Sequence, residues 1–250
     1  MRDTLVSIVI PVFNAEKFIE ETVACVSNQT HTEWELLLIN DGSADRSGTI
    51  VERLAREDRR ICTYHTKGCG AAAARNIGTK IAEGRYLAFL DADDLWEKDK
   101  LEKELRFMRE QDAAFVFTGY EFADEEGKGT GKVVHVPGRL TYKQALKNTT
   151  IFTSTVLFDI KKTGKELLFM PLVKSEDTAL WWKVLKAGYD AYGLDDNLVK
   201  YRRSGKTLSS NKLEAIRRIW RLYRRTEGLS VGKSLYCFSF WAWNAVARRV

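Results

Sequence analysis

The sequence predicts an α/β protein: a doubly wound, mostly parallel sheet flanked by helices, followed by a C-terminal helical tail. Three observations carry the prediction. First, residues 5–10, 35–39, 61–64 and 86–90 are short aliphatic runs that barely alternate, the pattern of parallel strands buried on both faces. Second, helical patterns at about 16–28, 46–58 and 71–83 fill the intervals between them, as right-handed βαβ crossovers require. Third, Gly84 follows the last of these patterns as a helix-terminating glycine. Ligands of such sheets sit beyond the carboxyl ends of the strands.

The second half is less regular. A charged helix at 97–110 leads to a strand at 114–120, a Gly/Glu-rich turn at 124–131 and a strand at 132–136. A helix at 141–147 and a strand at 153–158 follow. A helix at 176–187 takes Ser175 as its N-cap and Gly188 as its stop. Strands near 190–194 and 198–202 precede two tail helices at about 211–226 and 230–248.

Composition bounds the function. With 44% apolar and 30% charged residues in 250, the chain is neither disordered nor a coiled coil. The net charge of +6 divides unevenly: residues 1–199 hold 27 Lys+Arg against 32 Asp+Glu, and residues 200–250 hold 13 against 2. An acidic body therefore carries a basic tail. Cys25, Cys62, Cys69 and Cys237 show no metal-ligand spacing, which argues against a zinc site and a disulfide scaffold. The opening Met1-Arg2-Asp3-Thr4 runs straight into a strand and reads as lacking a signal peptide. The longest nearly uncharged apolar stretch, 235–247, is short of the roughly 20 residues that span a bilayer. These features predict a cytoplasmic protein.

Polar residues follow the strands. The first ends in Pro11-Val12-Phe13-Asn14, the second in Asn40-Asp41-Gly42-Ser43, and the fourth in Asp91-Ala92-Asp93-Asp94. Three acids within four residues repel one another without a counter-ion, and such oxygen ligands suit Mg²⁺ or Mn²⁺ sharing its shell with phosphates. The same run also reads as an acidic turn capping a helix over 95–110. No G-x-G-x-x-G follows the first strand and no Walker A loop is present, so phosphates fall to a metal and to cations such as Arg75.

Ser7-Ile-Val-Ile-Pro-Val-Phe-Asn14, Asn40-Asp41-Gly42-Ser43, Ala73-Ala74-Arg75-Asn76-Ile77-Gly78, Asp91-Ala92-Asp93 and the later Glu176-Asp177 pair, in this order, resemble family 2 glycosyltransferases of the Rossmann-like GT-A fold. Phe117-Thr118-Gly119-Tyr120-Glu121, Gly131-Lys132-Val133-Val134-His135-Val136-Pro137 and the tail resemble the bacterial teichuronic-acid and capsule type. The resemblance covers essentially the whole chain. It implies a catalytic domain over 1–205, with a nucleotide-binding half at about 1–96 and an acceptor half at about 97–205, before the tail at 206–250. It implies an inverting enzyme that moves a sugar from a nucleotide-sugar donor, a UDP-sugar by analogy, to a polysaccharide or lipid-linked glycan acceptor.

Residue by residue, the resemblance assigns the donor base to the backbone around Pro11, Val12 and Phe13 and to Asp41, which accepts a hydrogen bond from uracil N3, and counts Asn14 among the donor-binding residues. Asp91 and Ala92 face the ribose or sugar, Asp93 holds Mn²⁺ or Mg²⁺ on the diphosphate, and Arg75 reaches the diphosphate or sugar. Asp177, beside Glu176, is the general base. Relatives carry a histidine after the last strand where this chain has Ser204, within Tyr201-Arg202-Arg203-Ser204-Gly205-Lys206. That phosphate contact passes to Arg202, Arg203 or Lys206, or is lost. The Q-x-x-R-W signature of processive members is missing, which favours addition of a single sugar.

Bland alternatives stand beside each role. Asp41 also reads as a turn former, Arg75 as a helix-surface cation, and Glu176-Asp177 as acids complementing a helix N-terminus. A non-catalytic nucleotide-sugar or glycan-binding module on the same fold is the alternative function, because fold does not prove turnover. In the tail, Leu213, Ile216, Trp220 and Tyr223 recur at helical spacing beside Arg217, Arg218, Arg221, Arg224 and Arg225, and an aromatic second helix follows. This reads as a peripheral contact with an anionic membrane, as packing on the catalytic domain, or as a homo-oligomer interface. No nucleic-acid-binding module is recognised, so nucleic acid is not an expected partner.

Overall fold

The structure, a computed structural model, describes residues 2–203 and 212–247. Strands β1 (Arg2–Val12), β2 (Trp34–Asn40), β3 (Ile61–His65) and β4 (Gly84–Phe89) alternate with helices α1 (Ile19–Ser27), α2 (Ser47–Glu57) and α3 (Ala71–Ile81). The strands are parallel, in the order β3-β2-β1-β4. Their sequences barely alternate because both faces are covered. Ile8, Ile10, Leu36 and Leu38 enter one core with α1 and α2, while Val9, Leu37, Ile39 and Phe89 enter the other with α3.

Then come β5 (Leu95–Trp96), α4 (Lys100–Glu110), β6 (Phe115–Ala123), β7 (Gly129–Val134), β8 (Arg139–Leu140) and α5 (Tyr142–Ala145). They are followed by β9 (Val156–Asp159), α6 (Ile160–Thr163), α7 (Glu176–Lys186), β10 (Ala191–Arg202), α8 (Lys212–Arg221) and α9 (Val231–Ala247). The sheet continues past β4 as β9-β6-β10-β5. β6 and β10 are parallel, but β9 runs antiparallel to both β4 and β6. The parallel character is thus confined to β1–β4 and the β6–β10 pair. β6 points the same way as β4, so the carboxyl ends of β1, β2, β4, β6 and β10 share one edge.

Local differences from the expected elements have physical causes. The charged helix starts at Lys100, because Leu95 and Trp96 pair with Lys200 and Val199 of β10 instead. Asp94 caps no helix: it is fully buried, accepting hydrogen bonds from Ser154 Oγ (2.5 Å) and the Arg202 amide (3.2 Å). The two strands expected over 190–202 are one strand, β10, whose register on β6 shifts around Asn197. Residues 153–155 form a 3₁₀ turn before β9. Ser175 occupies the N-cap position of α7 in a left-handed conformation (φ 60°), and its side chain makes no cap bond. The first tail helix gives way to a π turn at Leu222–Thr226.

The tail is part of the body. Ile219, Leu222, Tyr223, Leu229 and Cys237 join the core that includes α7, and the Tyr223 ring stacks on Trp182, with centroids 5.3 Å apart and planes 8° apart.

One glycine couples α3 to the sheet. A Cβ on Gly78 would lie 2.3 Å from Val9 Cγ1, and Val9 is fully buried. Glycine-to-alanine in a helix interior ordinarily gains up to about 1 kcal/mol, whereas overpacking costs about 1–3 kcal/mol. β-branched Val9 has little rotamer freedom to retreat, so overpacking wins. Gly78→Ala is expected to destabilise the protein in urea unfolding, where an exposed helical glycine would be stabilised by the same change.

Candidate active site

A cavity of about 680 Å³ opens at the carboxyl edge of the sheet. Pro11, Phe13, Asn14, Asp41, Arg75, Asp91, Ala92 and Asp93 all line it, so eight positions singled out in the sequence converge there. Five others are not among its lining residues: Glu176 and Asp177, in the first turn of α7, and three residues that turn elsewhere. Val12 is fully buried in the core, the direction that strand alternation dictates, and contributes only its carbonyl, which accepts the Asp41 amide (2.8 Å). Arg202 is 1% exposed; it donates to Glu21 (2.6 Å) and lies over the Phe18 ring. Arg203, exposed, sits over the Phe122 ring. Neither arginine lines the cavity: one is buried beneath the surface and the other lies over an aromatic ring. Ser204 and Lys206 lie outside the described residues.

The first wall is built by loops that latch onto one another. Asn14 adopts a left-handed conformation (φ 49°) that asparagine tolerates. Its side chain accepts the Ala44 amide (2.8 Å), and its own amide donates to Ser43 Oγ (3.1 Å). Phe13, freed from the sheet by this turn, is 61% exposed and presents its ring to the cavity. Asp41 ties down the next loop. It accepts from the Cys69 and Gly70 amides (2.7 Å each), the Cys69 thiol (3.0 Å) and the Thr66 hydroxyl. Burial opposes ionisation, but these hydrogen bonds outweigh it and hold the carboxyl at about 2. The turn needs glycine at 68 and 70, where φ is 87° and 88°.

The second wall carries the charge. Arg75 is buried, not a helix-surface cation, and donates to both Asp91 and Glu176 (3.4 Å from Nη1). Burial alone would weaken its hold on the proton, yet Asp91, Glu176 and Asp177 together strengthen it. The Asp91 amide donates to Ser154 Oγ (3.1 Å), the hydroxyl that binds Asp94. Burial, and then the charges of Asp91 and Asp93, hold Asp94 well above the ordinary carboxylate range. Asp93 faces the cavity, and burial plus Asp91 push it up to about 6. Asp177 is also raised: burial and neighbouring Glu176 outweigh the Thr178 amide that bonds to its Oδ1 (2.6 Å) and the charge of Arg75.

Among the described residues no cluster of three or more His, Cys, Asp or Glu side chains could hold a metal by itself. The donor set nevertheless fits a hard divalent cation that takes most of its ligands from phosphate. Asp93 lines the cavity and, beside Asp91, keeps its charge only at a cost that a cation would relieve.

Ala15, Phe18, Gly68, Gly70 and Ala71 complete the cavity, and Ser154 orients Asp91 from behind. The Gly68-Cys69-Gly70 spacing after the third strand was a readable turn signal. Ser154 had none, because only the antiparallel entry of β9 brings it under Asp91.

The sequence model described as Glycosyl transferase family 2 matches residues 7–160. The chain is 43% identical over 248 residues to the "Putative teichuronic acid biosynthesis glycosyltransferase TuaG" of Bacillus subtilis (strain 168), covering 98% of each chain. It is 37% identical over 222 residues to the Escherichia coli UDP-Glc:alpha-D-GlcNAc-diphosphoundecaprenol beta-1,3-glucosyltransferase WfgD, covering 88% of this chain and 85% of that one. Among solved structures, S. aureus TarS 1–349 in complex with UDP-GlcNAc superposes with a TM-score of 0.69 at 20% identity, over 96% of this chain and 71% of that one. The mannosyltransferase PcManGT from Pyrobaculum calidifontis, in complex with GDP-Man and Mn²⁺, superposes with a TM-score of 0.70 at 16% identity, over 97% of this chain and 74% of that one. These likenesses agree with the GT-A architecture expected from the motifs, and the family match and the two sequence relatives establish that the chain belongs to glycosyltransferase family 2.

Proposed function

We propose that this protein transfers one sugar from a nucleoside-diphosphate sugar, a UDP-sugar in the first instance, to a hydroxyl of a cell-surface polysaccharide or lipid-linked glycan, with inversion at the anomeric carbon. The observation that carries the reading is the convergence of Asp41, Arg75, Asp91 and Asp93 on one cavity, with Glu176-Asp177 joined to it through Arg75. The acceptor class is supported by TuaG and WfgD, and the uridine donor by WfgD and by the UDP-GlcNAc complex of TarS.

In this reading residues 1–96 hold the donor and 97–205 the acceptor. The Phe13 ring supports the base. Among the described residues Asp41 Oδ2 accepts only the Gly70 amide, which leaves it a lone pair for a base N–H. Arg75 and Asp91 orient the sugar and diphosphate, and Asp93 would hold Mn²⁺ or Mg²⁺ there. When bound, the cation supplies charge neutralisation for the departing nucleoside diphosphate. Asp177 takes the proton of the acceptor hydroxyl while that oxygen bonds to the anomeric carbon from the face opposite the diphosphate. The bond to the diphosphate oxygen breaks, and its electron pair leaves with the nucleoside diphosphate. A single displacement of this kind inverts the configuration and forms no sugar–enzyme bond.

A thermal-shift screen over nucleotide sugars with Mn²⁺ tests the donor assignment. The true donor at a hundredfold its dissociation constant is expected to add about 2.7 kcal/mol of stability. Asp93→Ala is expected to remove the part of that gain that depends on Mn²⁺. If no nucleotide sugar raises the melting temperature, the reading fails.

A further inference from the structure

The tail helices raise a question that the catalytic reading does not answer. α9 buries one side, through Ser234, Cys237 and the partly covered Phe238 and Trp241. Its opposite side is also apolar: Val231, Leu235, Tyr236, Phe240 and Trp243 are 54%, 55%, 54%, 42% and 74% exposed. Their spacing places them on one arc of the helix. A helix apolar on both sides ordinarily has both sides covered.

The borders of this arc indicate what covers it. On one side, Lys147 Nζ lies 4.5 Å and 4.9 Å from the Tyr236 and Phe240 ring centroids, and Lys233 stands one turn before Tyr236. On the other side Phe238, next to Val231 and Leu235 on the helical wheel, meets Trp220 of α8 edge-on at 6.1 Å. Arg217, three residues before Trp220, shares that side of α8 and is exposed, as are Arg221 at its end and Arg224 and Arg225 in the π turn that follows. The two acids of this region are engaged elsewhere, Glu214 with Lys174 and Glu227 with Lys186 and Tyr142. An apolar arc is thus flanked on both sides by cations. Two copies packed through such a surface would bring cations against cations, whereas anionic headgroups beside acyl chains complement it. No described helix is long and apolar enough to cross a membrane, which leaves a surface contact.

We propose that the outward arc of α9, with the exposed arginines of α8 and of the π turn after it, docks this protein on the surface of an anionic lipid bilayer. The proposal rests on the surface itself and not on the donor chemistry.

The test is flotation of the full chain with vesicles of phosphatidylcholine alone or of phosphatidylcholine mixed with phosphatidylglycerol. Binding is expected to the mixed vesicles, weakened at least tenfold by Phe240→Glu/Trp243→Glu and by Arg217→Gln/Arg221→Gln/Arg225→Gln. All five positions are exposed, so the melting temperature and its rise with nucleotide sugar are expected to persist in both variants. Equal binding to both vesicle types, or mixed-vesicle binding that survives either variant, overturns the proposal. So does a dimer in sedimentation velocity that dissociates on the Phe240→Glu/Trp243→Glu change, which would assign the arc to a second copy.

Discussion

Asp177→Asn is expected to lower sugar transfer by about 10²–10⁴-fold, the range for loss of a positioned general base, while the donor still raises the melting temperature. The expectation rests on opposed effects at the start of α7. A carboxylate in the first turn of a helix is ordinarily favoured in its charged form, which would make it a poor base. Here burial and Glu176 outweigh the Thr178 amide and the charge of Arg75, and the carboxyl is raised. A base must be unprotonated to act, so transfer should fall as pH drops through this raised value, at higher pH than an ordinary aspartate would impose. Asp177→Asn should abolish that acidic limb from whatever residual rate remains. Near-wild-type transfer by a folded Asp177→Asn protein would remove Asp177 from the role. Glu176→Gln separates the pair, because Glu176 acts through Arg75 and its loss should cost less.

Lys100→Met is expected to be the most damaging single change to stability. Lys100 and Glu104 form an ion pair of 2.6 Å one helical turn apart, with both side chains 0% exposed. The Lys100 ammonium lies 4.1 Å from the centre of the Trp96 ring, and Glu104 Oε1 has no hydrogen-bond partner among the described residues. Removing one member of a buried pair typically costs about 3–5 kcal/mol. At roughly 2–4 °C per kcal/mol for a chain of this size, that is a fall in melting temperature of about 6–20 °C. Lys100→Met/Glu104→Leu should recover most of the loss, since an apolar replacement of the whole pair is often neutral or better.

The pH sign can be checked on the same pair. Burial, against the pull of Lys100, raises Glu104 to about 7. A carboxyl whose folded value lies above its unfolded value carries no penalty at low pH and loses stability as pH rises from the ordinary glutamate range to about 7. Lys100→Met should steepen that loss. If Lys100→Met melts within a few degrees of the wild type at neutral pH, the pair is not sealed from water as described.

The carboxyl-edge chemistry was legible because it depends on local sequence. A strand ending in Phe13-Asn14 or Asp91-Ala92-Asp93 puts those residues at one edge of any parallel sheet, and seven such strand-end residues share the cavity with Arg75 of α3. That Arg202 and Arg203 lie off the cavity was not legible, because the end of β10 is set by its neighbours. Arg202 turns beneath the surface toward Glu21, and no local pattern announces an arginine partner 181 residues away in the chain. Asp94 failed for the same reason: its partners, Ser154 and Arg202, arrive on distant strands. The direction of β9 was invisible because a run such as Val-Leu-Phe-Asp buries both faces whichever way it runs. In the tail, the 3.6-residue period identified the helices, but an arc apolar all round does not say which side meets the protein.

The antiparallel insertion of β9 also has a mechanical consequence. By hydrogen-bonding β4 on one side and β6 on the other, it stitches the strand that leads to Asp91 and Asp93 to β6 and β10 of the second half of the chain within one continuous sheet. Enzymes that close around a ligand by swinging two domains need a linker that can flex between them, and this protein has hydrogen-bonded sheet at that position. The relative placement of the two halves is therefore set when the chain folds, and adjustment to substrates falls to the edge loops, such as residues 66–70 and 171–175.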